Sequence, residues 1–329
     1  MKKGILPFII AILSIGTMLT SCGKDVEEST IDAHKRYLKS FVQENYPSAT
    51  LTDSGIYLLD SIPGTGEKPQ EESYVLVDYT VTYLDGYYMD YTSEEIAKQL
   101  GTFSYAKFYG PRIWNLENQE SGIKEIVSHL REGGTIKAIL PHWLLGEETE
   151  NTTSTGDGAS RIYTIKLHDV IEDVIAYQDS IMRDVANNNF IMLDTTSAGF
   201  YFRKTKVNPQ PKDTVANEES VKIRYIGKYL DGKVFDTNIA DTAKKYGIYS
   251  ECSYDYLIFK HFEREDDAIG QNSLVEGFSK ALWRMHYSEK AITFFNSEYG
   301  YGENGSGNIP GYTPLMFEIW YEEEEKTDE

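Results

Sequence analysis

Along residues 30–47 the apolar side chains Ile31, Leu38, Phe41, Val42 and Tyr46 recur on one face of a 3.6-residue period and Pro47 ends the run, which predicts an amphipathic helix. The pattern returns in "VIAYQDSIMRDVANNN" (174–189), with Ile181, Met182 and Val185 on one face and three asparagines at its end. After each helix the period shortens to two. "EESYVLVDYTVTYLDGYYMD" (71–90) and "EESVKIRYIGKYLDGKVFD" (218–236) both read as a strand, a Leu-Asp-Gly turn and a second strand ending in Asp. Upstream, "DSGIYLL" (53–59) answers "SAGFYFR" (197–203); downstream, "GIKEIVSHLREGGTIKAILP" (122–141) parallels "GFSKALWRMHYSEKAITFF" (277–295). Each downstream segment is a short helix, with Ile123, Ile126, Val127 and Leu130 inward in one and Phe278, Ala281, Leu282 and Met285 in the other, followed by a strand.

The chain is therefore duplicated. Each unit runs helix, strand, paired strands, insertion, short helix, strand, loop, last strand, an order that predicts an α+β fold with an antiparallel sheet wrapped on a short helix. The expected divisions are a signal segment at 1–21, an acidic tether at 22–30, a first domain at 31–173 and a second at 174–329. "EYGYGENGSGNIPGYTPLMFEIWY" (298–321) places Gly300, Gly302 and Gly305 at G-x-G-x-x-G spacing, but a nucleotide loop must open a helix, and Pro310, Pro314 and a strand-like run follow instead.

Composition removes several chemistries. The 329 residues carry 32 basic and 52 acidic side chains, and such a chain repels phosphate backbones, so nucleic acid is not an expected partner. The six histidines fall singly, no paired-cysteine spacing exists and no serine-nucleophile motif is present, so neither a metal nor another cofactor is implied. The apolar stretch from Ile5 to Leu19 has the length of a signal-peptide core, and Leu19-Thr20-Ser21-Cys22 resembles the lipobox of bacterial lipoproteins. That resemblance implies acylation of Cys22 and a lipid-anchored place in the bacterial cell envelope, on the periplasmic side of the outer membrane or at the cell surface. With Cys22 modified only Cys252 remains, so no intrachain disulfide is expected.

"VKIRYIGKYLDGKVFD", "LVEGFSKAL" and "EYGYG…IP…PLMFEI" resemble, in order, the three pocket-building segments of the FKBP-type peptidyl-prolyl isomerases. The resemblance covers 218–322 closely and reaches 71–170 through the internal repeat. It implies two domains of that fold and a pocket assigned residue by residue. Tyr225, Asp236 and Tyr301 take the catalytic positions, with Phe235, Leu274, Val275, Phe278, Ile309 and Phe317 around the substrate. Its expected partners are proline-containing segments of client polypeptides. Taken singly, Phe235, Phe278 and Phe317 would serve as core, Tyr225 as a buried strand residue and Asp236 as a turn residue; only the joint pattern speaks for a site.

The departures are informative. Phe278 stands where the family commonly has tryptophan, and the insertion at 244–273 leaves Tyr254 or Tyr256 as the expected source of a further pocket residue, with "HFEREDD" at its tip as a solvated run or a substrate-selecting lip. The first copy keeps Tyr79 and Asp90 but has Met89, Ile123 and Leu145 at the positions of the wall, floor and hydroxyl residues, and a polar loop without Ile-Pro. It is expected to be weak or inactive as an isomerase. Three functions compete: an isomerase acting in the second domain on exported or envelope proteins, a non-catalytic chaperone or partner-binding lipoprotein, and a surface protein that keeps the fold for another ligand.

Overall fold

The computed structural model describes residues 29–145, 159–189, 191, 194–209 and 215–322. Cys22, nearly all of the first copy's polar loop (146–158) and the acidic tail lie outside the described residues. Among those residues no helix is long and apolar enough to cross a membrane.

The first domain contains α1 (Thr30–Asn45), β1 (Thr50–Leu51), β2 (Tyr57–Ile62), β3 (Tyr74–Tyr83), β4 (Tyr88–Tyr91), α2 (Glu94–Gln99), β5 (Arg112–Asn115), α3 (Ser121–Ser128), β6 (Thr135–Leu140) and β7 (Arg161–Ile171). The second contains α4 (Val174–Asn188), β8 (Asp194–Ser197), β9 (Phe200–Lys206), β10 (Ser220–Lys228), β11 (Val234–Thr237), α5 (Ala240–Lys245), β12 (Leu257–Lys260), α6 (Glu265–Gln271), α7 (Glu276–Trp283), β13 (Lys290–Phe295) and β14 (Leu315–Tyr321). The strand orders are β1-β2-β6-β7-β3-β4, with β5 also on β3, and β11-β10-β14-β13-β9-β8, with β12 also on β10. Read from opposite ends these are one topology, antiparallel in every pairing. The duplicated α+β fold is therefore present as two sheets.

The repeated turn shows why the copies fold alike. Gly86 and Gly232 take φ of +89° and +86°, a region open to glycine, and Asp85 and Asp231 each accept the backbone N–H two residues on at 3.0 Å. Alternation along each strand then gives every sheet two apolar faces. In the first domain Ile123, Ile126, Val127 and Leu130 of α3 and its end pack against Val75, Val77, Ile165 and Leu167 on one face, while Leu38 and Val42 of α1 cover Ile139 and Ile162 on the other. In the second, Phe278, Ala281, Leu282 and Met285 fill the corresponding face, and Met182 of α4 packs with Tyr201 and Phe294 on the reverse.

Asp173, the last residue of the expected first domain, is the N-cap of α4. Its carboxylate caps α4, accepting from the N–H groups of Ile175 and Ala176 at 2.9 and 3.0 Å. Ile181, expected on the inward face of α4, is only half-buried and lines a cavity between the domains with Tyr177, Phe108, Ile113 and Leu230. The apolar stripe of α4 is thus divided between its own sheet and the first domain.

Within the insertion, β12 adds a strand to β10. "HFEREDD" is built into the fold: Phe262 is buried in the core, its carbonyl accepts from the Trp283 indole at 2.9 Å, and Glu265, Asp266 and Asp267 form the first turn of α6. Acidic side chains suit that end of a helix, where unpaired N–H groups carry positive partial charge.

Candidate functional site

The site begins with a gap in one sheet edge. β12 pairs with β10 as far as Ile223 and β11 pairs with it only from Ile226, so Tyr225 has no strand neighbour on that side. The Asn238 side chain takes the strand's place, its Oδ1 accepting from Tyr225 N–H at 2.9 Å and its Nδ2 donating to the Ile223 carbonyl at 2.8 Å. Satisfied this way, the backbone at the gap needs no water, and the Tyr225 ring is free to lean over the concave face. Its hydroxyl donates to Asp236 Oδ2 at 2.7 Å.

Aromatic rings pack around that pair. Phe317 of β14 lies 4.6 Å from Phe278, 5.6 Å from both Phe235 and Phe295, and 6.2 Å from Tyr225, measured between ring centroids. Two glycines make the cluster possible. A Cβ on Gly227, which pairs with both Phe317 and Asp236, would sit 2.7 Å from the Phe235 ring and 2.9 Å from that of Phe317. A Cβ on Gly277 would lie 2.4 Å from the Phe295 ring. Phe278 and Phe317 are buried, while Tyr225, Phe235, Leu274, Val275 and Tyr301 are half-buried against the same core. Leu274 and Val275 enter at the start of α7, where the Phe278 N–H bonds the Val275 carbonyl at 3.1 Å.

Tyr301 supplies a hydroxyl that, among the described residues, has no hydrogen-bond partner. Burial first, and then the Asp236 charge, push the phenols of Tyr225 and Tyr301 above the ordinary tyrosine value, so both stay protonated at neutral pH. Tyr225 has committed its proton to Asp236. Tyr301 keeps one to give. Neither is set up to exchange protons near pH 7, and the site offers an apolar bed with one hydrogen-bond donor beside it.

The glycine-rich stretch is a lid. Ser306 and Ile309 close a tight turn through reciprocal backbone hydrogen bonds of 2.8 and 2.9 Å, and Ile309 is buried with the pocket rings. Gly302, Gly305 and Gly307 adopt φ of +61°, +68° and +55°, so the glycines serve backbone conformation at the turns.

All nine pocket residues expected in the second domain thus lie in one core and its margin, whereas the two tyrosines expected from the insertion lie elsewhere. Tyr254 stacks on Tyr249 with centroids 5.4 Å apart, and Tyr256 lies under the Arg224 guanidinium at 3.7 Å. That guanidinium donates to the Asn238 and Tyr254 carbonyls at 2.5 and 2.6 Å, so the insertion's tyrosines brace the gap from outside. Gly227, Asn238 and Phe295 were missed by sequence reasoning, although Gly227 stands inside the first motif, one glycine among flanking strand formers.

The first domain preserves the pair and changes its surroundings. Tyr79 donates to Asp90 at 2.6 Å, but Arg112 donates to the Tyr79 hydroxyl at 2.8 Å and stands 3.7 Å from Asp90. Trp114 packs on Tyr79 with centroids 4.8 Å apart. Arg112 and Trp114 come from β5, at positions that correspond by strand register to Leu257 and Phe259 of β12. A cation replaces an apolar wall, so the first copy has a charged pocket.

Residues 258–321 match the family model described as FKBP-type peptidyl-prolyl cis-trans isomerase. The match contains Phe278, Tyr301, Ile309 and Phe317 and stops short of Tyr225, Phe235 and Asp236. Among curated proteins, the chain is 27% identical over 128 residues to the FKBP-type 22 kDa peptidyl-prolyl cis-trans isomerase of Escherichia coli K12, covering 39% of this chain and 50% of that protein. It is 30% identical over 118 residues to the peptidyl-prolyl cis-trans isomerase FKBP15-1 of Arabidopsis thaliana, covering 34% of this chain and 62% of that one. Among solved structures, FkpA from Escherichia coli aligns at 22% identity over 45% of this chain and 61% of its own, with a TM-score of 0.33. The chain spans half the length of the first of these relatives. The family model and the curated relatives support the resemblance to the FKBP-type isomerases.

Proposed function

We propose that the second domain is a peptidyl-prolyl cis-trans isomerase. The observation that carries this reading is the five-ring bed of Tyr225, Phe235, Phe278, Phe295 and Phe317 with the unpaired Tyr301 hydroxyl at its margin. A prolyl peptide bond turns slowly because amide resonance sets a barrier of ~20 kcal/mol. Resonance is lost at the twisted transition state and the carbonyl becomes less polar, so an apolar bed that receives the proline ring favours the twisted form over the planar one. Tyr301 donates to the carbonyl of the residue before proline. Asp236 holds the Tyr225 hydroxyl, fixing that ring as a wall and keeping its proton from competing.

An acceleration of ~10⁵ corresponds to roughly 7 kcal/mol. One hydrogen bond contributes about 1 kcal/mol, so desolvation and preorganised ring contacts must supply most of it. The test is cis-to-trans relaxation of a short X-Pro peptide, followed without a coupled protease on the full chain. The Asp236→Ala/Tyr301→Phe double variant is expected to lose at least tenfold in kcat/KM, while Asp90→Asn in the first domain leaves it within about twofold. Folded protein that gives no acceleration would sink the isomerase reading in favour of a binding lipoprotein.

The setting is proposed as well: acylated Cys22 anchors the protein in a bacterial envelope, where its substrates are exported polypeptides, on the strength of the signal-like segment before it. One acyl chain holds a protein only marginally, so stable anchoring needs two or more. The full-length protein is expected to partition into the detergent phase and Cys22→Ser into the aqueous phase; equal partitioning rejects the anchor.

A further inference from the structure

The lid of the second domain is held by the first. At its tip, the Asn308 carbonyl accepts from the Phe108 N–H at 3.2 Å, across the domain boundary. The same carbonyl lies 2.9 Å from the Tyr229 hydroxyl, which also lies 3.1 Å from the Ala106 carbonyl. The Phe108 ring packs edge-on against Tyr229 with centroids 5.3 Å apart, and Tyr229 in turn sits 5.1 Å from the pocket wall Phe235. Tyr229 is 1% exposed, so its hydroxyl has little choice of partner beyond the lid and the first domain. Asn308 immediately precedes Ile309, the side chain that covers the rings.

The lid's returning limb is held at a second point. Tyr312 has a backbone φ of +56°, a region that non-glycine residues enter at a cost. Its N–H donates to the Gly302 carbonyl at 2.8 Å, its carbonyl accepts from buried Gln178 at 3.0 Å, and its ring packs edge-on against Tyr74 of the first domain at 5.6 Å. Nearby, Lys233 reaches Glu94 at 2.7 Å and Tyr105 covers Gly247 so closely that a Cβ there would lie 2.6 Å from its ring. The lid also roofs a cavity of about 400 Å³ over Tyr79, Arg112 and Trp114, the first domain's own pocket.

We infer that the first domain is a clamp in cis for the active-site lid of the second, with Phe108 of the first domain, and Tyr229 of the second on which it packs, as the positioning residues. Neither touches the prolyl group; they act through Asn308 and Ile309. This rests on the isomerase reading only for its consequence in rate, because the clamp itself is a statement about lid order. The clamp accounts for a degenerate pocket that keeps its fold: with the lid across it, the first domain's groove serves the neighbouring site.

Hydrogen exchange of the full chain, read on peptides spanning residues 302–313 and on α7 as an internal reference, tests the clamp. Phe108→Ala removes the edge-on ring and Tyr229→Phe removes only the hydroxyl, leaving the ring against Phe235. Each is expected to speed lid exchange about five- to tenfold, the scale of one lost hydrogen bond or ring contact, with α7 unchanged and Phe108→Leu restoring most of the protection. In the isomerisation assay the same variants raise KM more than they lower kcat, since a loosened lid weakens capture before it affects the rings. Faster lid exchange in a protein without isomerase activity would uphold the clamp and reject the isomerase. Unchanged lid exchange in both variants overturns the clamp, whatever happens to activity.

Discussion

Replacing Phe317 by alanine is expected to abolish measurable isomerase activity and to lower the stability of the second domain by about 3–5 kcal/mol, the usual range for deleting a buried phenylalanine ring. Phe317 is the hub of the site: four other aromatic rings lie within 6.2 Å of its centroid. Removing it leaves Tyr225, Phe235 and Phe278 without a common support, and the bed spreads or collapses. Domains of this size are typically stable by about 5–15 kcal/mol, so the variant remains folded at low temperature, where its activity can be read. Phe317→Leu, which keeps more of the volume, separates the two effects. It should lose only about 1–2 kcal/mol yet still fall well below the native rate, because an aliphatic branch cannot present a flat face to proline. Urea titration gives the stabilities and peptide relaxation the rates. A folded Phe317→Ala protein with native activity would place the chemistry elsewhere.

The features legible in the sequence were those encoded by local periodicity or by ordered motifs. Strand alternation, the repeated Leu-Asp-Gly turn and the inward faces of α3 and α7 all follow from spacing within about twenty residues, and burial of Ile126, Val127, Leu130, Ala281, Leu282 and Met285 agrees with it. Tyr225, Asp236, Phe278 and Phe317 were assignable because three motifs occur in order, although each residue alone would pass as core. What was illegible depends on partners distant in the chain. Arg112 and Trp114 sit on a four-residue strand whose register with β3 cannot be read from its own pattern, so the charged character of the first pocket was hidden. Tyr254 or Tyr256 is expected at the pocket position that the family fills from this insertion, yet Arg224 draws both to the outside of the sheet edge. The contact between Phe108 and Asn308 joins the two copies, and no repeat within a single copy could announce it.

Divergence between the copies has a physical direction. Both retain the tyrosine–aspartate pair, at 2.6 and 2.7 Å, and both retain the edge gap that exposes it. Only the second keeps an aromatic ring at the helix floor, where Phe278 answers Ile123. Only the first places a guanidinium on the tyrosine hydroxyl. A guanidinium there keeps its hydration in the groove, so the pocket cannot desolvate a prolyl amide as an apolar bed does. The charge that disqualifies the first pocket as an apolar bed does not disturb its sheet, which remains a rigid mount for the loop carrying Phe108.

Gly305→Ala is expected to lower kcat/KM about a hundredfold, the scale associated with displacing a positioning element by an ångström or so. Gly305 has a φ of +68°, and a Cβ there would lie 2.2 Å from the Ile309 carbonyl oxygen and 2.6 Å from the Pro310 carbonyl carbon. Both obstacles are backbone, so the limbs of the lid must part and carry Ile309 off the rings. Gly302 is the control, with a φ of +61° but nothing within 4 Å of its added Cβ. Gly302→Ala meets only the left-handed backbone penalty of about 1–2 kcal/mol, and its effect on kcat/KM should stay within roughly tenfold. Neither change touches the sheet or α7, so the domain should stay folded in both, its denaturation midpoint lowered only by the strain in the loop, while peptide relaxation separates them. Equal losses in the two variants would mean that left-handed conformation, not the crossing of the limbs, is what the lid requires of its glycines. A loss confined to Gly305 would tie that glycine to close backbone approach, a requirement that the spacing of Gly300, Gly302 and Gly305 does not disclose.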